Sequence, residues 1–62
     1  MMKFVVAIEG EKFEFDTLTE AKAKHNELLA QGYWEVVLRL HADNEIYVYN
    51  RNANAFFFAY SK

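Results

Sequence analysis

The sequence predicts an α+β fold: a single small domain over residues 1–62, an antiparallel sheet with one helix on one face, in the order β-β-α-β-β-β. Three observations predict it. Apolar and polar residues alternate in the first third and again from residue 33 onward, the period of a half-buried strand. Between them one stretch carries helical spacing, opened by a capping box and closed by a glycine. Gly, Asn and Asp mark the junctions where tight turns are needed.

Residues 3–9 and 12–16 alternate around Gly10-Glu11. A two-residue turn there, with Gly10 at positive φ as its first central residue, pairs Ile8 with Phe13 and Val6 with Phe15, and sets Phe4, Val6 and Ile8 on one face with both phenylalanines. In Asp16-Thr17-Leu18-Thr19-Glu20, Thr17 as N-cap and Glu20 three residues on form a capping box, each side chain serving the other residue's backbone N–H. The helix runs over residues 18–31 with Gly32 as its left-handed C-terminal residue. Leu18, Ala21, His25, Leu28 and Leu29 form its inward stripe, and Glu20, Lys22, Lys24 and Glu27 its solvated face.

Residues 33–41 return to period two, with Trp34, Val36, Leu38 and Leu40 toward the core and Tyr33, Glu35, Val37, Arg39 and His41 away from it. A three-residue loop, Ala42-Asp43-Asn44 with Asn44 left-handed, places Leu40 opposite Ile46 and Leu38 opposite Val48. The last hairpin turns through residues 50–54 and sets Tyr49 against Phe56, Val48 against Phe57 and Tyr47 against Phe58. A right-handed crossover from the second strand to the third brings the third beside the first, for a sheet order 2-1-3-4-5, antiparallel throughout.

Composition bounds what such a domain does. Of 62 residues, 53% are apolar, too many for a disordered segment. There is no cysteine, which closes the disulfide route to stabilising a small core and gives no sign of an oxidising compartment. The first apolar run, residues 4–8, is far short of the roughly 20 residues of a membrane span. No membrane association is therefore expected, and a cytoplasmic location is. A net charge of -2 argues against a strongly basic nucleic-acid binder and against a highly acidic DNA mimic. The charge is unevenly spread, since residues 46–62 contain Arg51 and Lys62, no acid, and six of the aromatic residues.

The inventory points away from an enzyme. The one serine, Ser61, stands next to last, and capping accounts for Thr17 and Thr19. Two glycines 22 positions apart cannot build a phosphate-cradling loop, and no cofactor is implied. His25 and His41, the latter near Asp43 and Glu45, stand on separate elements and do not make the three or four convergent ligands of a zinc site, so no metal is expected.

The surface is more informative. One helix cannot cover a five-stranded sheet about twice its width. The residues assigned to the uncovered face are Val5, Ala7, Glu35, Val37, Arg39, Tyr47, Tyr49, Phe56, Phe58 and Tyr60, an apolar patch of the kind that marks interaction surfaces. The leading expectation is a small protein-interaction module with a protein partner, self-associating as a homodimer through its last strand and an aromatic face built on Val37, Arg39, Tyr47, Tyr49, Phe56, Phe58 and Tyr60. An accessory protein of a phage or other mobile element, modulating a host protein, is one setting for a chain this short. An alternative is a single-stranded nucleic-acid binder, in which Tyr47, Tyr49, Phe56 and Phe58 stack bases while Arg39, Arg51 and Asn52 meet backbone or base edges. A third is a small-ligand binder.

Residues 26–37, Asn-Glu-Leu-Leu-Ala-Gln-Gly-Tyr-Trp-Glu-Val-Val, resemble the helix-to-strand junction of small domains that read N-E-L-x-x-x-G-W-E-V-V, with one extra residue before the tryptophan. The likeness covers about a fifth of the chain and brings no chemistry with it. Thr17-Leu18-Thr19-Glu20-Ala21, with the later Gly-aromatic-Glu-Val, is similar to short phage inhibitors of bacterial RNA polymerase, which implies a protein partner.

Overall fold

Residues 2–62 are described by a computed structural model of the chain. Five strands, β1 (Met2–Ile8), β2 (Glu11–Phe15), β3 (Val37–Ala42), β4 (Glu45–Asn50) and β5 (Ala55–Ser61), form one antiparallel sheet in the order β2-β1-β3-β4-β5. The single helix α1 (Leu18–Ala30) crosses between β2 and β3. Element order and strand order are those the sequence predicts. The radius of gyration, 11.1 Å, fits the roughly 10.6 Å of a compact chain this long.

The first hairpin turns one residue earlier than expected, with the same two-residue loop. Glu9 and Gly10 are its two central residues, Gly10 at φ +84° in the second place, so Ile8 faces Glu11, Val6 faces Phe13 and Phe4 faces Phe15. That shift of two positions leaves every side chain on its expected face, because strand side chains repeat with period two. Thr17 caps the helix with its hydroxyl oxygen, accepting from the Glu20 N–H at 3.3 Å and donating to the Glu20 carboxylate at 2.9 Å. The reciprocal bond therefore runs between the side chains and not to the Thr17 backbone. At the other end Gly32, at φ +103°, lets its own N–H reach Leu29 O and the Tyr33 N–H reach Leu28 O, a Schellman closure.

Helix packing is confined to one half of the sheet. Ala21, His25 and Leu28 are buried as the inward stripe predicts, and α1 lies over β1, β2 and β3. Phe4, Val6, Ala21, Leu28 and Leu38 form the core, with Phe13, Phe15, Leu18, Val36, Tyr49 and Phe56 packed around it. Over β4 the helix meets the Tyr49 ring: His25 lies edge-on to it at 6.0 Å, and Lys22 Nζ stands 5.3 Å from its centroid.

Two further expectations fail, each at a loop. β3 begins at Val37, and Trp34, assigned to the core side of a longer strand, lies in the connection with 89% of its surface exposed. The Schellman closure uses Tyr33, and the chain then extends to Val36 before it reaches the sheet. The β3–β4 turn has two central residues, Asp43 at φ 54° and Asn44, and not three. Leu40 consequently faces Tyr47, His41 faces Ile46 and Arg39 faces Val48. The difference of one residue moves all of β4 to the other face: Tyr47 and Tyr49 turn toward the helix side, Ile46 and Val48 toward the open side.

Candidate functional site

β5 is a sheet edge, paired on one side with β4 alone. From Ala55 to Ser61 it reads Ala-Phe-Phe-Phe-Ala-Tyr-Ser, with neither a charge nor a proline. Phe57, Phe58 and Tyr60 are 54%, 56% and 51% exposed. Natural edge strands are usually blunted by lysine, proline or a covering element, because their free N–H and C=O groups template pairing with another chain. None of these covers β5 among the described residues.

The register with β4 distributes these rings over both faces. Tyr49 faces Phe56, Val48 faces Phe57 and Tyr47 faces Phe58, as the sequence predicts. A bulge follows, since Ile46 faces Tyr60, so Ala59 is the extra residue and Tyr60 crosses to the open side. On the helix side the rings form a continuous ledge beside α1, with Phe4–Phe56, Tyr49–Phe56 and Tyr47–Phe58 centroids at 6.1, 5.2 and 5.8 Å. On the open side Phe57 and Tyr60 adjoin Val48 and Ile46.

The expected single-faced patch is therefore corrected. Val37, Arg39 and Tyr60 lie on the open face, and Tyr47, Tyr49, Phe56 and Phe58 lie on the helix side. All seven stay within or beside the last three strands. The nucleic-acid set is divided further: Arg39 is on the face opposite the four rings, while Arg51 and Asn52 occupy the exposed β4–β5 turn at the end of the sheet. Glu45 stands at the ring ledge itself, accepting from the Tyr47 hydroxyl at 2.9 Å, and this bond pushes the Tyr47 pKa upward. A carboxylate in that place opposes phosphate approach.

Two features escaped the sequence reading. The exposed Trp34, with Tyr33 and Gly32, walls a groove of about 500 Å³ against Ile8 and Val37. The open face also gathers Lys3, Lys12, Arg39 and Lys62 around His41, an arrangement legible in part because Lys3, Arg39 and His41 all fall on the non-core parity of β1 and β3. His41 and Asp43 line this second cavity, while Glu45 is engaged with Tyr47. Among the described residues no group of three or more His, Asp or Glu converges as a metal site, and no helix is long and apolar enough to cross a membrane. No protein family matches the chain, nor does any curated protein or solved structure.

Proposed function

We propose that this chain is a protein-interaction module that associates with a second copy of itself through β5. The observation that carries the reading is the uncharged edge strand with three aromatic residues more than half exposed. In an antiparallel self-pair centred on Phe58, the two Phe58 rings meet across the axis on the helix side, and the bulge at Ala59 leaves Tyr60 on the open face beside Phe57 of the second copy. No charge opposes another, and apolar cross-strand pairs of this kind stabilise a sheet.

The two-fold axis of such a pair stands perpendicular to the sheet, so both helices fall on the same side of a ten-stranded sheet. Each helix covers the β1, β2 and β3 half of its own copy. The aromatic ledge of Tyr47 and Phe58 then lies at the centre, doubled by symmetry, where a further protein partner has an apolar floor between two helices. Isologous pairing of one patch with itself is the commonest way a homo-oligomer closes.

Sedimentation at about 100 μM, enough to populate any dimer with micromolar Kd, tests this. A dimer whose β5 amides exchange more slowly as concentration rises is expected. A monomer at that concentration overturns the reading.

A further inference from the structure

We propose that the open face of the sheet holds a binding pocket for a small phosphate-bearing ligand, centred on Arg39. This site is on the face away from the helix and does not depend on the β5 pairing. Its floor is Val5, only 4% exposed although no helix lies over it. Glu14 and Arg39 flank Val5 across the strands, and Lys3 stands opposite His41 in the next row. The long charged side chains shield the apolar floor with their stems and keep their heads in water. Lys12 and Lys62 complete the wall of a cavity of about 380 Å³, within the range of small-ligand sites. The Lys62 N–H donates to Asn44 O at 2.7 Å, which fixes the end of β5 against the β3–β4 turn and brings Lys62 to the rim beside Asp43.

Charge selects the ligand. The whole chain is at -2, yet this pocket gathers four cations against the carboxylates of Glu14 and Asp43. Glu14 is engaged with Lys3 at 3.2 Å. Lys12, Arg39 and Lys62 form no ion pair among the described residues. Three like charges held around one concavity repel each other and raise the local potential. A carboxylate would neutralise one of them. A phosphate monoester brings roughly -1.5 to -2 of charge and three acceptor oxygens, which matches an arginine fork together with two ammonium groups. Glu14 and Asp43 at the rim, and the net negative chain beyond, disfavour a long polyanion and favour a small compound.

His41 lines the same pocket. Its Nε2 is buried with no hydrogen-bond partner among the described residues, a state that native proteins rarely leave unexplained. Burial first, then the charges of Lys62 and Arg39, hold its pKa below the ordinary histidine value, with Glu14 opposing and Lys12 adding to the fall. Burial foremost, and the cations that would bind the anion after it, thus disfavour the imidazolium. A phosphate among them offsets the field of these cations at His41 and so favours the imidazolium.

The test is an NMR titration of both histidine rings against pH, in inorganic phosphate up to about 10 mM, tenfold above a millimolar Kd, and in sodium chloride of matched ionic strength. Phosphate is expected to raise the His41 pKa by about a unit, the scale of a neighbouring opposite charge, beyond any shift in chloride. His25, on the helix side, stays unmoved. Arg39→Gln is expected to abolish the difference while His25 keeps its native shift, which certifies the fold. Equal shifts in phosphate and chloride would mean screening alone and would overturn the pocket, as would an Arg39→Gln protein that responds like the wild type. Tighter binding of a short single-stranded oligonucleotide than of phosphate overturns the assignment to a small ligand.

Discussion

The Tyr49 hydroxyl donates to Oδ1 of Asn54 at 2.6 Å, and Lys22 Nζ donates to the same oxygen at 3.2 Å. One amide thus joins the β4–β5 turn, the ring ledge and the helix. Asn54 is also left-handed, at φ 52°, a conformation in which asparagine is one of the few tolerated side chains.

Two substitutions separate these roles. Asn54→Gly keeps the backbone conformation and removes the side-chain bonds, a loss of about 0.5 to 1.5 kcal/mol for a typical bond. Asn54→Ala removes the same bonds and adds left-handed strain of about 1 to 2 kcal/mol. Alanine should therefore be the more destabilising of the two in urea titrations. Equal midpoints would show that the turn relaxes to another conformation at no cost.

How far the fold was legible follows from the same turns. Capping box and helix rest on local signals strong enough to stand alone. The strand order rests instead on the handedness of the crossover, and the Tyr49–Phe56 register on a turn centred on Asn52-Ala53, where one more loop residue would have reversed its parity. The face of β4 had no such support, because Asp43 and Asn44 both accept a left-handed backbone, and a loop of two or three residues suits either. Hydrophobicity could not arbitrate, since Ile46 and Val48 on one parity and Tyr47 and Tyr49 on the other are all apolar. Trp34 misled for a related reason: a large apolar side chain in an alternating run reads as core, while the helix closure that uses Tyr33 leaves it outside the sheet. The candidate interaction strand was legible as an edge, but the face of Tyr60 depends on a bulge at Ala59 that no residue type announces.

Stability should fall on mild acidification. Burial holds the His25 pKa below the ordinary value of about 6.5, Arg51 adding to the effect and the Asn26 side chain opposing it. His41 is shifted the same way. With the folded pKa below the unfolded one, the unfolded chain takes up the proton first, so the contribution is complete above about pH 6.5 and is lost as pH falls below it. Urea midpoints should be level from about pH 7 to 8 and decline from about 6.5 toward 5, and His25→Leu should flatten part of that decline. A midpoint constant down to about pH 4.5, where carboxylates begin to titrate, would contradict it.

Trp34 is the chain's one tryptophan and is 89% exposed, so its fluorescence reports directly on the connection between α1 and β3. Acrylamide should quench it nearly as well in the native protein as in urea. Trp34→Ala should change stability by no more than about 0.5 kcal/mol, as for other surface positions. Strong protection from quenching in a monomeric sample would place the ring back against the sheet.

Phe58→Glu is the sharpest test of pairing through β5. Phe58 is 56% exposed and lies outside the core of Phe4, Val6, Ala21, Leu28 and Leu38, so within one copy a glutamate there reaches water and the fold persists. In a self-pair centred on this residue, two carboxylates face each other beside the axis, with Tyr47 of each copy close by. Like charges directly opposite are destabilising, and burying them without a partner is costlier still. The variant should therefore sediment as a soluble monomer with an unchanged circular dichroism spectrum. Its urea midpoint should be independent of protein concentration, where that of the wild type rises with concentration as mass action requires. A Phe58→Glu protein that remains dimeric would put the interface away from β5, most plainly at the exposed Trp34.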